Sequence, residues 1–324
     1  MIAGDSITAV VPVHNGADLL EKLLTSARAQ TVGFREVIVI DNASNDNAVA
    51  VARRFGCRVL QLDRNTGFAS AVNLGWQSAV SDWVAILNSD VELDREWVER
   101  LASLAESASF AAGTLLSSGN PSVMDGSYDL VSRGGCAWRA GHGHTFSTPG
   151  GPTPIAVAPA TACLFRRDVL KSLGGFDETF GSYLEDVELG MRCIRSGFRG
   201  IYVPDAIARH QGSATYGRWN PTVVRLISRN QLLIIQRHYD PALFRACLWP
   251  ILIGQILWGL LALKHGAFGA WWLGKREGLR EFSAGGTACA AIHDFLIASE
   301  SEIRARATGD FYWRWYFRLT AAAH

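Results

Sequence analysis

The chain has 324 residues, enough for one large domain or a domain with an appendage. A formal net charge of +1 gives no reason to expect nucleic acid as an obligate partner. Charged residues make up 19 % of the chain, below the ~25 % of ordinary soluble domains, and much of the apolar excess falls after Pro241. Six cysteines (Cys57, Cys136, Cys163, Cys193, Cys247 and Cys289) form no CxxC and no histidine-paired metal spacing. They read as small hydrophobes in a reducing compartment. The first apolar run, Ile7–Val13, is too short for a signal peptide and contains Pro12. The catalytic part is therefore expected on the cytoplasmic side.

That run predicts a buried strand, with His14-Asn15-Gly16 as the turn after it. Leu19, Leu20, Leu23, Leu24 and Ala27 then recur at helical spacing. A second strand over 36–40 ends at Asp41-Asn42-Ala43-Ser44. Val49, Ala52 and Phe55 mark a helix that Gly56 is placed to cap. A third strand spans 58–62, and Asn65-Thr66-Gly67 opens a helix carrying Phe68, Val72 and Trp76 on one face. Trp83–Leu87 is the fourth strand. Four strand–helix alternations predict an α/β fold with a mainly parallel sheet covered on both faces.

No GxGxxG follows the first strand, so the dinucleotide fingerprint is absent. Polar residues recur instead after successive strands: Asn15, Asp41, Arg64 with Asn65, then Asp90. In a parallel sheet these share one edge, where α/β proteins bind ligands. Asp41 suits a base or ribose, and Arg64 a phosphate; taken singly, Asp41 and Asn65 are equally good helix caps. After Trp83–Leu87, Asn88-Ser89-Asp90 is followed by Glu92 and Asp94. Such an oxygen-rich turn suits a hard divalent cation holding phosphates.

Residues 105–159 read as loop-rich with a short strand at 110–116, and Gly134-Gly135, Trp138 and His142 to His144 as a mobile surface flap. Glu185-Asp186 opens a helix running to about Ser196 with Gly197 at its end. Two carboxylates there favour the helix dipole, and either is also placed to act as a general base. A last strand is expected over 199–203, before Ala208-Arg209-His210.

The segments VVPVHNGADLLEKLLTSARAQ, VIVIDNASNDN, RNTGFASAVNLG, VAILNSDVEL, ACLFRRDVLKSLGGFDETF, YLEDVELGMRCIRSGFRG and ARHQGSAT occur in order across residues 7–210. Together they resemble a family 2 glycosyltransferase with the GT-A fold, a Rossmann-like nucleotide-sugar-binding domain, and in particular its rhamnosyltransferase-like branch. The resemblance implies that Pro12, Asn15, Asp41 and Ser44 surround the nucleoside. It puts Arg64, Asn65 and Gly67 near the diphosphate or base. Asn88-Ser89-Asp90 takes the place of the family's DXD motif, with Asn88 where the first carboxylate is usual. It further implies a divalent metal ion (Mn or Mg) on Asp90 and His210, Asp186 as general base of an inverting transfer, and Glu185 in support. Arg218, in the loop after Gly212, would reach phosphate.

A helix is expected over 222–238, with Arg229 and Asn230 at its site-facing side. Residues 246–263 carry no charge, at the lower edge of a membrane span, but Pro250, Gly254, Gln255 and Gly259 weaken it as one. Lys264, Trp271, Trp272, Lys275 and Arg276 mix aromatics with cations, as does the tail at Phe311, Trp313, Arg314, Trp315 and Arg318. The expected arrangement is a glycosyltransferase domain over 1–220 and a helical region over 221–324. The latter would lie on the cytoplasmic face of the cell membrane; the alternative is that its apolar helix is covered in a homodimer.

The expected activity transfers a sugar, L-rhamnose from dTDP-rhamnose, to a glycan or lipid-linked glycan acceptor. A UDP-linked hexose or galactofuranose is the alternative donor. A sugar-nucleotide nucleotidyltransferase would show a Gly- and Arg-rich loop after the first strand, which VVPVHNGADLLEK lacks. An inactive nucleotide-binding scaffold at the membrane has only Asn88 in its favour.

Overall fold

The computed structural model describes residues 6–105, 107–147, 150–212, 219–280 and 285–321. The chain divides into two compact units, one of residues 1–128 with 141–215 and the other of residues 129–140 with 216–324. The segment 129–140, expected in the catalytic part, thus clusters with the C-terminal helices.

In the first unit, β1 (Ile7–Val13), β2 (Glu36–Asp41), β3 (Arg58–Gln61) and β4 (Trp83–Leu87) alternate with α1 (Ala17–Arg28), α2 (Ala48–Arg54) and α3 (Phe68–Ser78). β5 (Val91–Leu93), α4 (Trp97–Ala105), β6 (Phe110–Ser117) and β7 (Asn120–Gly126) follow. The second unit begins with a hairpin of β8 (Asp129–Val131) and β9 (Ala137–Arg139). The first unit resumes with β10 (Thr153–Ile155), β11 (Ala162–Arg166), α5 (Arg167–Leu173), α6 (Glu185–Arg195) and β12 (Gly200–His210).

Among the described residues the sheet order is β10-β12-β6-β11-β4-β1-β2-β3, with β5 on β12 and β7 on β6. The first four strands are parallel, as their alternation with helices requires. Beyond β4 the sheet becomes mixed, because β11 runs antiparallel to both β4 and β6. Strands β1 and β4 are wholly buried and, apart from Thr8, apolar throughout, the pattern of strands covered on both faces. Pro12 is tolerated in β1 because the β1–β4 ladder ends at Val10↔Ile86, two residues earlier. Gly75 lets α3 sit close on the sheet: a Cβ there would lie 2.3 Å from Val10 Cγ1 and 2.7 Å from Ile40 Cδ1.

The strand expected over 199–203 continues to His210. Pro204 ends the sequence signal, but a register shift between Val203 and Ile207 absorbs it, and pairing with β6 resumes at Ile207↔Thr114. Strands β7 to β10 replace much of the loop expected between residues 117 and 159.

The second unit adds α7 (Pro221–His238), α8 (Pro241–Ala246), α9 (Leu248–Lys264), α10 (Phe268–Arg280), α11 (Ala290–Arg306) and α12 (Phe311–Thr320). Asn220 and Asp240 cap α7 and α8 through their side-chain oxygens, each followed by proline. Gly134-Gly135 and Trp138 form no exposed flap. Gly134 donates its N–H to Tyr316 Oη at 3.1 Å, and a Cβ on Gly135 would lie 2.6 Å from Ile235. Trp138 is buried. The hairpin's polar groups are met by helices: Glu300 accepts from Arg133 Nε at 2.8 Å and from Tyr316 Oη at 2.6 Å.

Among the described residues no helix is long and apolar enough to cross a membrane. The uncharged stretch is broken at Cys247, between α8 and α9. One side of α9 is buried, while Leu248, Trp249, Leu252, Ile256, Leu260 and Leu263 stand on the other, each 45–57 % exposed. All six cysteines are free, and Cys136, Cys163, Cys193 and Cys247 are buried.

Candidate active site

Parallel pairing of β1, β2 and β3 puts the loops after all three on one edge of the sheet, and side chains in those loops fasten them together. Ser44 Oγ accepts from Asn15 N–H at 2.9 Å, and Asn15 Oδ1 accepts from Asn45 N–H at 2.9 Å. Asn15 and Ala43 adopt positive φ (62° and 61°), a conformation uncommon for residues with a side chain. Asp41 is almost fully buried and accepts from Ser44 N–H at 3.0 Å, so it shapes its own turn. Asn42, which sequence reasoning passed over, accepts from Thr66 N–H at 2.8 Å and donates to Gly67 O at 3.0 Å. Pro12 is buried at the end of β1, and Asn65 Oδ1 accepts from Gly67 N–H at 3.0 Å. Arg64 is exposed. Among the described residues no hydrogen bond or ion pair engages its guanidinium, which leaves it free for an anion.

Gly67 (φ 87°) touches a second loop: a Cβ there would lie 2.8 Å from Gly181 O. Ala69 N–H donates to that same carbonyl at 2.9 Å, and Phe68 N–H to Ser182 Oγ at 3.1 Å. The chain then passes through Tyr183 and Leu184, both left-handed (φ 70° and 66°), into α6. Two consecutive non-glycine residues in that region mark backbone held in place by its surroundings, as occurs at functional sites.

At the start of α6, Glu185 is 6 % exposed and Asp186 is half-buried. Asp186 Oδ2 accepts from Ala160 N–H at 3.1 Å and Oδ1 from Val187 N–H at 2.8 Å. Those bonds fix the orientation of the carboxylate at the helix N-terminus. The next residue, Thr161, accepts from Asn88 N–H at 2.8 Å. One short connection before β11 therefore holds both Asp186 and the turn Asn88-Ser89-Asp90. Farther along α6, Arg192 binds Glu188 and donates to Leu173 O and Gly175 O, locking the helix onto the preceding loop.

Residues 90 and 210 meet because β5 pairs antiparallel with β12, which sets His210 opposite Val91. His210 Nε2 lies 3.3 Å from Asp90 Oδ1, and its Nδ1 lies 2.8 Å from Asp125 Oδ2. Burial alone would depress this imidazole, but hydrogen bonds to Asp125 and Asp90 and their charges outweigh it and push it up to about 9. Asp94 is held by Arg209, and Glu92 stands opposite Arg209 in the ladder. Asp125 carried no sequence signal, lying in a stretch read as loop.

No group of three or more His, Cys, Asp or Glu side chains among the described residues could by itself cage a metal ion. Two facing donors, Asp90 and His210, fit a cation that takes its remaining oxygens from a bound diphosphate. Beside them, Asn88 Oδ1 is buried without a hydrogen-bond partner among the described residues. Arg218, expected to reach phosphate, lies outside the described residues. Asn230 is fully buried and accepts from Arg229 Nε at 2.9 Å within α7.

Residues 8–174 match the family model described as Glycosyl transferase family 2. The chain belongs to that family. This glycosyltransferase is 28 % identical over 242 residues to the N-acetylglucosaminyl-diphospho-decaprenol L-rhamnosyltransferase of Mycobacterium tuberculosis, covering 66 % of this chain and 78 % of that one. Among solved structures, it resembles the mannosyltransferase PcManGT from Pyrobaculum calidifontis in complex with GDP-Man and Mn2+. The TM-score is 0.54 at 17 % identity, over 98 % of this chain and 84 % of that one. It also resembles GalNAc-T7 with UDP, GalNAc and Mn2+, at TM-score 0.59 and 15 % identity, over 85 % of this chain and 54 % of that one. These likenesses show the fold, a GT-A-type α/β domain with helices added C-terminally.

Proposed function

We propose that this glycosyltransferase moves L-rhamnose from dTDP-rhamnose to a hydroxyl of a lipid-linked or polysaccharide glycan, with inversion at the anomeric carbon. The observation that carries this reading is the joint fastening of Asp186 and the Asn88–Asp90 turn by Ala160 and Thr161. A base and a diphosphate-binding edge are thereby held together. Asp186 accepts the proton of the acceptor hydroxyl as that oxygen bonds to the anomeric carbon and the bond to the nucleoside diphosphate breaks. Glu185 supports it from the same helix end. Pro12, Asn15, Asp41 and Ser44 frame the nucleoside, while Arg64, Asn65 and Gly67 lie toward the diphosphate.

Asp90 and His210 are the residues that would hold a divalent cation, Mn or Mg, against the donor diphosphate. When bound, that cation neutralises the charge of the leaving group. The sugar assignment is supported by the M. tuberculosis relative, whose name specifies rhamnosyl transfer to a decaprenol-linked sugar.

A lipid-linked acceptor also gives a role to the apolar side of α9. Five Leu and Ile side chains and Trp249 stand half-exposed there, followed by the cation Lys264 and by the exposed Phe268 and Trp272 of α10. Such a surface suits insertion into the headgroup region of the cytoplasmic leaflet. In this reading residues 1–220 are catalytic and 221–324 anchor the enzyme.

The test is a transfer assay with dTDP-rhamnose and, in parallel, UDP-hexoses and UDP-galactofuranose, using a polyprenyl-diphosphate-linked N-acetylglucosamine acceptor. Rhamnosylated product of inverted anomeric configuration supports the proposal. Transfer from a UDP-sugar alone replaces the donor, and a product of retained configuration removes Asp186 as base.

A further inference from the structure

We infer that Asp125 is a positioning residue of the donor site, acting through His210. The inference rests on the metal reading above but concerns a residue outside it. Strand β7 pairs with β6 as Leu115↔Gly126 and Leu116↔Met124, so the register steps over Asp125, an extra residue on β7. This is a β-bulge, the device by which a strand re-aims a single side chain next to a site. Since β6 also pairs with β12, through Leu116↔Arg209 and Ser117↔His210, the bulge aims its carboxylate across the sheet at His210. Asp125 Oδ2 lies 2.8 Å from His210 Nδ1. The bulge is fixed from its other side, where His142 Nδ1 lies 2.9 Å from the Asp125 carbonyl oxygen.

A carboxylate on Nδ1 holds the proton on that nitrogen and turns the ring. Nε2, 3.3 Å from Asp90 Oδ1, is then the atom that would ligate a cation, giving up its own proton as the cation binds. Carboxylates behind metal-binding histidines fix the tautomer and raise ligand basicity, and losing one costs roughly 10–100-fold in metal affinity. The arrangement offers a physical reason why a turn with Asn88 in place of a carboxylate can still hold a cation: the missing charge is supplied from behind the histidine.

The experiment titrates Mn2+ into the full-length protein saturated with dTDP, and separately with UDP, reading free Mn2+ by electron paramagnetic resonance. It compares wild type, Asp125→Ala, Asp125→Asn, His210→Ala and the Asp125→Ala/His210→Ala pair. The expected result is a loss of about 10–100-fold in Mn2+ affinity for Asp125→Ala. Asp125→Asn, whose side-chain oxygen still accepts from Nδ1, recovers most of it. The double variant binds Mn2+ no more weakly than His210→Ala alone, because Asp125 reaches the cation site through that ring, another of its partners being His142 at 3.6 Å. Metal-free nucleotide affinity stays at the wild-type value, while the thermal midpoint falls, because the Asp125 carboxylate stabilises the buried imidazole. If Asp125→Ala does not fold, Asp125→Ser, which cannot reach His210, is read in its place. Unchanged Mn2+ affinity in Asp125→Ala, or additive losses in the double variant, would overturn the inference and leave the metal reading standing. Wild type that binds no Mn2+ with either nucleotide would overturn both.

Discussion

The backbone N–H of Ala160 donates to Asp186 Oδ2 at 3.1 Å, while the adjacent carbonyl of Thr161 accepts from Asn88 N–H at 2.8 Å. The candidate base and the candidate diphosphate turn are thus positioned by neighbouring peptide groups. Asp186→Asn keeps the shape of this contact and removes the basicity. The expected outcome is a fall in transfer rate of roughly 10²–10⁴-fold. The dissociation constant for the nucleoside diphosphate stays unchanged by calorimetry. A fall in affinity with turnover preserved would assign Asp186 to binding instead.

The loops at Gly67 and Gly181 are in close contact. Gly67→Ala places a methyl 2.8 Å from a backbone oxygen at a residue whose φ is 87°. Holding alanine there costs roughly 1–3 kcal/mol, so the loop is expected to shift. Nucleotide affinity should weaken by about tenfold, in line with ~1.4 kcal/mol per decade. A lower thermal midpoint accompanies it. Gly33→Ala, at a position with open space around the added carbon, serves as the control that changes neither.

Lys275 makes the helical unit sensitive to pH. Its ammonium is buried, donating to Ser228 O at 2.7 Å, to Gln231 Oε1 at 2.9 Å and to Gln255. Burial pushes it down from 10.5 to about 7. Between those values the unfolded chain carries the extra proton, so stability rises with pH, by ~1.4 kcal/mol per unit at most, and levels off below about 7. Denaturant titrations of wild type and Lys275→Met between pH 7 and 10 should differ by this slope, because both proteins keep the opposite contribution of His210, which folding raises to about 9. Parallel curves would remove Lys275 as its source.

The outer row of α9 should bind lipid. Leu252, Ile256 and Leu260 are each about half exposed, so burying what remains is worth ~1 kcal/mol apiece. Replacing all three with glutamate should reduce partition onto anionic vesicles by about 100-fold or more in flotation assays. Hydrolysis of the soluble donor should be unaffected. If the variant instead turns a dimer into a monomer by light scattering, with vesicle binding unchanged, the row is a subunit interface.

Much of the first half of the fold was legible because its signals are local. Ile7–Val13 and Trp83–Leu87 are, apart from Thr8, apolar throughout, Gly56 stops α2, and Glu185-Asp186 with Gly197 brackets α6. What stayed hidden depends on pairing between distant residues. β7 has exposed residues and Pro121 along its first half, so it shows no alternation. β12 crosses Pro204, which reads as its end, yet this continuation delivers His210. Asp125 is visible only once β6 has β7 on one side and β12 on the other. Asn42 escaped notice beside Asp41 because its task, holding Thr66 and Gly67, spans two loops. Gly134 and Gly135 suggested a flexible flap, whereas small residues there admit Tyr316 and Ile235.

The most direct test of the central claim is calorimetric binding of UDP, dTDP and GDP, each with and without Mn2+, to wild type and Asp90→Ala. One nucleotide, dTDP, should bind tightly, only with Mn2+, and its binding should be lost in the variant. Absence of binding by any nucleotide under every condition would contradict the claim.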